Sequence, residues 1–170
     1  MNSKTALRDK AKNIRKQLNL IDVSEKLVKE IQAAEYYSKA KHVLLFYPLK
    51  YEFNLLKLLD DNKKFYLPKM HGNDLFICPF AKGDELISSD FNVQEPCSNP
   101  VNPEILDLII VPALMVDKKN YRLGYGGGFY DRFLSRWNNI TTVSAIAREL
   151  VVEELPHEEF DMPVDYIIAM

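Results

Sequence analysis

Four of the six glycines in this chain fall within one segment, Arg122-Leu-Gly-Tyr-Gly-Gly-Gly-Phe-Tyr-Asp131. We call residues 124–128 the glycine loop. An apolar run typical of a buried strand precedes it, over 107–112. Large apolar residues at helical spacing follow it, over 129–137. Glycines ahead of a helix let backbone N–H groups approach an anion, so the segment predicts a phosphate site between a strand and a helix.

Neither of two familiar phosphate motifs matches the glycine loop. No lysine follows the glycines, as a Walker A loop requires, and Phe129 stands where the dinucleotide fingerprint needs Gly or Ala. A tight turn without a ligand is the alternative. Four glycines in five positions, flanked by Arg122, Arg132 and Asp131, favour a ligand with phosphate groups, and the aspartate could hold a metal ion.

The N-terminal segment predicts an amphipathic helix with basic residues beside its apolar stripe. Ser3 can cap this helix, and the apolar stripe comprises Leu7, Ala11, Ile14 and Leu18. Lys4, Arg8 and Arg15 lie on the adjacent stripe. They form either a solvated basic face or a set of cations at the rim of whatever the helix packs against.

The rest of the chain alternates between helical and strand patterns. A second helix is predicted from Asp22, with Glu25 completing a capping box. Strands are predicted over 42–47, 64–67 (ending at Pro68), 75–80, 107–112, 141–147 and 164–169, with mostly loop over 81–104. We therefore predict a layered α/β fold with a mostly parallel central sheet flanked by helices, in a single domain over residues 1–170.

Composition restricts the classes of function. The net charge of −2 argues against a general nucleic-acid binder, and the longest apolar run is too short to span a bilayer. The polar N-terminus predicts no secretory signal. The two cysteines do not indicate a disulfide framework, and His42, His71 and His157 lack the spacing of a metal cluster. A cytoplasmic protein without nucleic-acid or membrane partners is expected.

Four segments in order resemble the 5-formyltetrahydrofolate cyclo-ligases, also called methenyltetrahydrofolate synthetases. The glycine-rich segment, preceded by Val111-Pro-Ala113 and Asp117, is the most specific match. The others are Lys4 with Arg8, the segment Tyr47-Pro-Leu-Lys-Tyr-Glu52, and the C-terminal Leu155-Pro-x-Glu-x-x-Asp161-x-Pro-x-Asp165. The resemblance covers most of the chain.

The resemblance implies a role for each matched residue. ATP would be bound by Lys4, Arg8, Arg122, Leu123, Gly124, Tyr125, Gly126, Gly127, Gly128, Phe129 and Tyr130. Arg122 and Tyr130 would be catalytic. The folate would contact Tyr47, Glu52, Tyr125, Gly126, Gly127, Gly128 and Phe129. Asp131 and Asp161 would hold Mg²⁺, which takes few protein ligands. Some relatives carry basic residues at the positions of Tyr125 and Gly127, and this chain lacks those contacts. Lys69 is a further, weaker candidate for a phosphate contact.

The implied reaction is the ATP- and Mg²⁺-dependent closure of 5-formyltetrahydrofolate to 5,10-methenyltetrahydrofolate, through phosphorylation of the formyl oxygen. Neither an activated serine motif nor a Cys–His signature stands out, as expected where charge neutralisation and positioning suffice. Two other classes stay open: a sugar-phosphate isomerase or acyl-transfer enzyme on a similar sheet, and a folate or nucleotide binder without activity. A monomer and a homodimer are both compatible with the sequence.

Overall fold

A computed structural model describes residues 2–90 and 92–170 of the chain. The helices are α1 (Lys4–Gln17), α2 (Leu20–Ala33), α3 (Glu35–Lys39) and α4 (Phe129–Arg136). Short 3₁₀ helices span Leu56–Asp60, Pro103–Ile105 and Arg148–Leu150. The strands are β1 (His42–Leu44), β2 (Lys64–His71), β3 (Asp74–Phe80), β4 (Leu86–Ser88), β5 (Gln94–Pro96), β6 (Leu108–Ile110), β7 (Met115–Asp117), β8 (Arg122–Leu123), β9 (Thr141–Ile146), β10 (Val151–Val152) and β11 (Tyr166–Ala169).

A mainly parallel sheet lies at the centre, which confirms the predicted fold class. Its six strands run in the order β11-β9-β6-β1-β2-β3, and only the β2–β3 pair is antiparallel. From β1 the chain adds β2 and β3 on one side, then returns to place β6, β9 and β11 on the other. The strand order therefore reverses between β1 and β6, where the carboxyl ends of an open sheet leave a crevice for ligands.

The sheet is covered on both faces, because neighbouring residues of its strands belong to two different cores. Val43 and Leu108 pack into the larger core with Leu27 of α2. Leu44 belongs to the smaller core, which includes Phe133 of α4. Continuous apolar runs are typical of parallel strands buried in this way. Within the described residues, no helix has the length and apolar character needed to cross a membrane.

Helix α2 begins earlier than the sequence predicted. Its N-cap is Asn19, whose side chain accepts a hydrogen bond from the Asp22 N–H over 3.1 Å. The predicted start at Asp22 was wrong, because the Asn19 side chain already caps the helix by accepting from the Asp22 N–H. Asp22 therefore lies within the first turn. The predicted cap of α1 is confirmed, since Ser3 accepts a hydrogen bond from the Ala6 N–H.

Strand β2 continues through Pro68, where the sequence predicted that it would end. Pro68 pairs with Ile77 of β3, which lies on one side of β2. The other side carries β1 only as far as Tyr66, whose carbonyl accepts from the Leu45 N–H. Two residues beyond Pro68 on that side, the Met70 N–H donates to the Glu95 side chain. Pro68 has no N–H to donate. On this side of β2 its nitrogen lies beyond the end of β1, so that no neighbouring strand loses a hydrogen bond.

Several short strands were not predicted. The β4–β5 hairpin lies within the expected loop 81–104, and β10, β7 and β8 form a separate small sheet. These strands have two or three residues each, which is too short for a hydrophobic period to emerge. Strand β1 is also shorter than predicted, and the residues that follow Leu44 turn away to line a cavity.

Asp117 is a buried structural anchor at the end of β7. Its Oδ1 accepts hydrogen bonds from the N–H groups of Lys119 and Tyr121, and its Oδ2 accepts one from Leu155. The side chain is fully buried. One carboxylate thereby ties the turn before β8 to the C-terminal segment.

We expect Asp117→Ala to lower the free energy of unfolding by about 3 kcal/mol or more, because it leaves buried N–H groups without acceptors. Urea denaturation of Asp117→Ala beside Asp9→Ala, an exposed position on α1, would measure this loss. Equal stability of the two variants would contradict the anchoring role.

Candidate functional site

A cavity of about 570 Å³ opens between β1 and β6, at the carboxyl ends of the central strands. Phe46 and Tyr47 follow β1 into its wall, and Pro112 follows β6. The glycine loop forms another wall, and the C-terminal segment around Asp161 forms the rim. The cavity therefore lies where the strand order reverses, as the topology predicts for a ligand site.

The glycine loop needs glycine at two positions for backbone reasons. Gly126 has φ of 111° and Gly128 has φ of 69°, in a region that residues with a Cβ rarely adopt. A Cβ on Gly128 would also lie 2.6 Å from a terminal nitrogen of Arg132. Gly128 is the N-cap of α4 and offers no side chain to its first N–H groups. The start of α4 therefore has no side-chain cap, an arrangement that suits an anion in the cavity.

Helix α1 brings two of the predicted cations to the cavity. The Arg8 Nε donates to the Gly124 carbonyl over 2.9 Å, and the Lys4 Nζ lies 2.5 Å from Asp161 Oδ2. Both side chains line the cavity. The helix therefore packs its basic stripe against the glycine loop and the C-terminal segment, and these two cations are not part of a solvated face.

Arg122 is a buried cation at the base of the cavity. Its side chain is 4% exposed, and one terminal nitrogen lies 3.2 Å from Asp131 Oδ1. Its Nε has no hydrogen-bond partner. Burial lowers the pKa of Arg122, and the charges of Asp131, Tyr130 and Asp161 act in the opposite direction. An unused donor on a buried cation is the feature that an anionic ligand would satisfy.

Tyr130 presents a second unused polar group in the same place. Its hydroxyl is buried without a hydrogen-bond partner, and its ring stacks beneath the Arg122 guanidinium, 5.6 Å from centroid to Cζ. Burial and the nearby charge of Glu52 raise the pKa of Tyr130, so that the hydroxyl keeps its proton and can donate it to an oxygen. The two predicted catalytic residues thus lie together.

Asp131 and Asp161 both line the cavity, and each keeps one oxygen free among the described residues. Asp131 uses Oδ1 to accept from Arg122 and from the Met162 N–H. Asp161 uses Oδ2 to accept from Lys4 and from the Glu158 N–H. Burial raises the pKa of Asp161, but these two hydrogen bonds together with the charges of Lys4 and Arg122 outweigh burial and leave the pKa lowered. Both groups are therefore suited to act as anionic ligands.

The donor set fits Mg²⁺ that is shared with a phosphorylated ligand. In residues 2–90 and 92–170, no group of three or more His, Cys, Asp or Glu side chains could hold a metal alone. Mg²⁺ usually takes one or two carboxylates and completes its shell with water and phosphate oxygens. The free oxygens of Asp131 and Asp161 match that requirement.

Glu52 and Tyr47 line the side of the cavity away from the C-terminal rim. Glu52 is 9% exposed and is therefore buried. Its Oε1 accepts from the Leu49 N–H over 3.0 Å. Burial raises the pKa of Glu52, while the Leu49 N–H, Arg15 and Tyr125 lower it. The carboxylate is thus held in a dry environment with hydrogen-bonding capacity to spare.

Some residues lie differently from the sequence interpretation. Arg15 was grouped with Lys4 and Arg8 on a rim, but it is 2% exposed and lies beneath the cavity wall. Lys69 does not line the cavity and donates instead to the Ser98 carbonyl.

Sequence reasoning missed several apolar residues of the cavity wall. They are Phe46, Leu49, Pro68, Met70, Val93, Pro112 and Phe160. Pro112 could have been found from the topology, because it follows a central strand. The others could not, because an isolated apolar residue carries no sign that it faces a ligand.

Removing the unsatisfied Tyr130 hydroxyl should not destabilise the ligand-free protein. We expect Tyr130→Phe to raise the free energy of unfolding by about 1 kcal/mol, because a buried hydroxyl without a partner is costly. Tyr37→Phe is the matched control, since the Tyr37 hydroxyl donates to Asp61 over 2.7 Å and its loss should destabilise. Urea denaturation measures both. A loss of stability in Tyr130→Phe equal to that in Tyr37→Phe would contradict the assignment.

Known proteins similar to this chain come from several bacteria. The chain is 32% identical to the 5-formyltetrahydrofolate cyclo-ligase of Haemophilus influenzae over 145 residues, 77% of this chain and 76% of that protein. It is 35% identical to the Escherichia coli K12 protein of the same name over 116 residues, 63% of each chain. The solution structure of Aquifex aeolicus 5,10-methenyltetrahydrofolate synthetase superposes with a TM-score of 0.85 at 33% identity, over 98% of this chain and 89% of that one.

The family model described as the 5-formyltetrahydrofolate cyclo-ligase family matches residues 1–170. Together with these similarities over most of the chain, this match shows the family. The protein belongs to the 5-formyltetrahydrofolate cyclo-ligases.

Proposed function

We propose that the protein closes 5-formyltetrahydrofolate to 5,10-methenyltetrahydrofolate in an ATP- and Mg²⁺-dependent reaction that releases ADP and phosphate. The family supports the overall conversion. The observation that carries the details is the lining of a single cavity. Unsatisfied polar groups of Arg122 and Tyr130 lie beside the glycine loop, and the carboxylates of Asp131, Asp161 and Glu52 line the same cavity.

The nucleotide is assigned to the side formed by α1, the glycine loop and α4. Its phosphates would meet the start of α4, which has no side-chain cap, the terminal nitrogens of Arg8 and the unused donor of Arg122. Lys4 would lie near the same oxygens from its place beside Asp161. These groups supply positive charge without a Walker lysine, which explains why that motif is dispensable here.

The folate is assigned to the side formed by Tyr47, Glu52 and Tyr125. A pterin presents an edge of N–H groups, and the buried carboxylate of Glu52 can accept hydrogen bonds from that edge. Such a bond is strong in a dry site because one partner is charged. Tyr47 and the apolar wall around Phe46 and Pro112 supply a surface for the flat ring.

The chemistry requires activation of a poor leaving group. The formyl oxygen of the substrate attacks the γ-phosphorus of ATP, ADP leaves, and the oxygen becomes part of a phosphate ester. The folate N10 then attacks the formyl carbon and releases its proton to solvent, the carbon–oxygen bond breaks, and phosphate departs with the oxygen. No covalent bond to the protein forms, so the protein's task is to align the reactants and neutralise charge.

Arg122 and Tyr130 are placed to act on the phosphoryl group. The Arg122 guanidinium is fixed by Asp131 below and by the Tyr130 ring, and its remaining donor can bond a phosphoryl oxygen. The protonated Tyr130 hydroxyl can donate to a second oxygen. Both groups are held before the ligand arrives, so that little reorganisation accompanies the reaction. When bound by Asp131 and Asp161, Mg²⁺ would neutralise phosphate charge.

The open alternatives differ from this proposal in what they require. A sugar-phosphate isomerase or acyl-transfer enzyme would use the phosphate groups without consuming ATP. A folate or nucleotide binder without activity could use the same buried donor of Arg122, and it differs from this proposal in forming no product. The family match speaks against the first of these classes.

The decisive assay follows the absorbance of methenyltetrahydrofolate as it forms from 5-formyltetrahydrofolate. We expect product only when ATP and Mg²⁺ are both present, with one ADP per product. EDTA should stop the reaction, and excess Mg²⁺ should restore it. Formation of product without nucleotide, or ATP hydrolysis without formation of product, would contradict the proposal.

The two carboxylates should act as a unit towards Mg²⁺. We expect Asp161→Asn to reduce kcat/KM by about a hundredfold or more and to raise the Mg²⁺ concentration for half-maximal activity. Asp131→Asn should do the same and should also destabilise the fold, because it leaves Arg122 without its buried anion. The double variant should be little worse than either single variant, since both ligands serve one ion.

Asp165 provides a matched control for this titration. It belongs to the same C-terminal segment, but its Oδ2 accepts from the N–H and the hydroxyl of Thr142 and lies outside the cavity lining. Asp165→Asn should lower the melting temperature and leave the magnesium titration unchanged. A normal titration in Asp161→Asn would remove Asp161 from the metal site.

A further inference from the structure

Arg15 is a buried cation that the assigned site does not use. It lies on α1 at 2% exposure, between the helix and the wall of the cavity, and does not itself line the cavity. Its guanidinium lies against the Phe53 ring, 5.1 Å from Cζ to the centroid. Burying a cation costs several kcal/mol unless its surroundings compensate. The contacts of Arg15 indicate what that burial achieves.

Arg15 joins three separate segments of the wall. One terminal nitrogen donates to the Ala113 carbonyl, just after β6. The other donates to the Tyr51 carbonyl over 3.4 Å and to the Tyr125 hydroxyl over 3.3 Å. The segment after β1, the turn after β6 and the glycine loop are therefore tied to one side chain.

The residues held in this way carry the folate side of the cavity. Tyr125 is 43% exposed, but its hydroxyl points inward to Arg15, so that its ring forms part of the lining. The same hydroxyl interacts with the Glu52 carboxylate, which also feels the charge of Arg15. Glu52 follows directly on Tyr51, whose carbonyl Arg15 holds. Arg15 thus fixes both the backbone that bears Glu52 and the phenol that faces it.

We propose that Arg15 is a positioning residue, which orients Tyr125 and Glu52 for the folate and acts through them without contacting either substrate. This inference rests on the proposed function. Arginine suits the role because its planar fork reaches several acceptors at once, whereas an ammonium group at one point cannot span them. A purely structural role would be weakly served by a buried cation, since apolar side chains of similar volume often stabilise as well.

The experiment measures the two ligands separately in Arg15→Lys, Arg15→Met and Tyr125→Phe. We expect the KM for 5-formyltetrahydrofolate to rise by about tenfold in each, the lower end for losing a hydrogen bond to a charged group. The affinity for ADP with Mg²⁺, measured by calorimetry, should stay within about twofold of wild type. Lys12→Met, an exposed position on the same helix, should change neither quantity.

A double-variant cycle separates positioning from general loss of structure. If Arg15 acts through the Tyr125 hydroxyl, Arg15→Met combined with Tyr125→Phe should raise the folate KM little more than one change alone. Additive effects would overturn the proposal. So would an unchanged folate KM, or equal weakening of folate and ADP in step with the melting temperature. Tyr125→Phe tests the contact even if an Arg15 variant does not fold.

Failure of this inference can be told apart from failure of the proposed function. Wild-type protein that forms no methenyltetrahydrofolate with ATP and Mg²⁺ overturns the function itself. Wild-type turnover with unchanged folate KM in the variants overturns only the role of Arg15. Calorimetric binding of 5-formyltetrahydrofolate to the variants checks the same point without turnover.

Discussion

The buried ion pair between Arg122 and Asp131 is the interaction on which the site depends. It joins Arg122, two residues before the glycine loop, to the first turn of α4, so that the two ends of the loop are held at a fixed separation. Asp131 also accepts the Met162 N–H and brings the C-terminal segment to the same point. The positive φ angles of Gly126 and Gly128 let the backbone turn sharply enough to connect Arg122 with Asp131 over so few residues.

Two polar groups at this ion pair are buried without hydrogen-bond partners. They lower the stability of the protein, but they can serve a ligand. Arg122 Nε and the Tyr130 hydroxyl are buried without partners, at a place where each unmet bond costs about 1–3 kcal/mol. Local stability alone would favour apolar side chains here. A site that must neutralise a phosphoryl group gains from donors already desolvated and aimed, because these need not reorganise during the reaction.

The sequence was informative where a residue type has one physical use. The glycine loop, the apolar central strands and the cap at Ser3 follow from local chemistry, and the structure has each of them. The sequence was misleading where tertiary contacts determine whether a residue is buried or how far a strand extends. Arg15 has the helical phase of a rim residue, and only the packing of Tyr125 and Ala113 against α1 makes it a buried one. The extension of β2 through Pro68 likewise depends on where β1 ends, which no local pattern records.

Under the proposed function, helix α1 would connect the parts of the cavity assigned to its two ligands. Lys4, Arg8 and Arg15 lie on a single stripe, and they contact in turn the C-terminal rim, the glycine loop and the wall that bears Glu52. A helix holds such residues at separations set by its rise of 1.5 Å per residue. Phosphoryl transfer demands that donor and acceptor meet in line, and a rigid element that contacts both sides can set that alignment. The basic stripe would therefore hold the parts of the cavity wall in fixed relative positions, in addition to supplying positive charge.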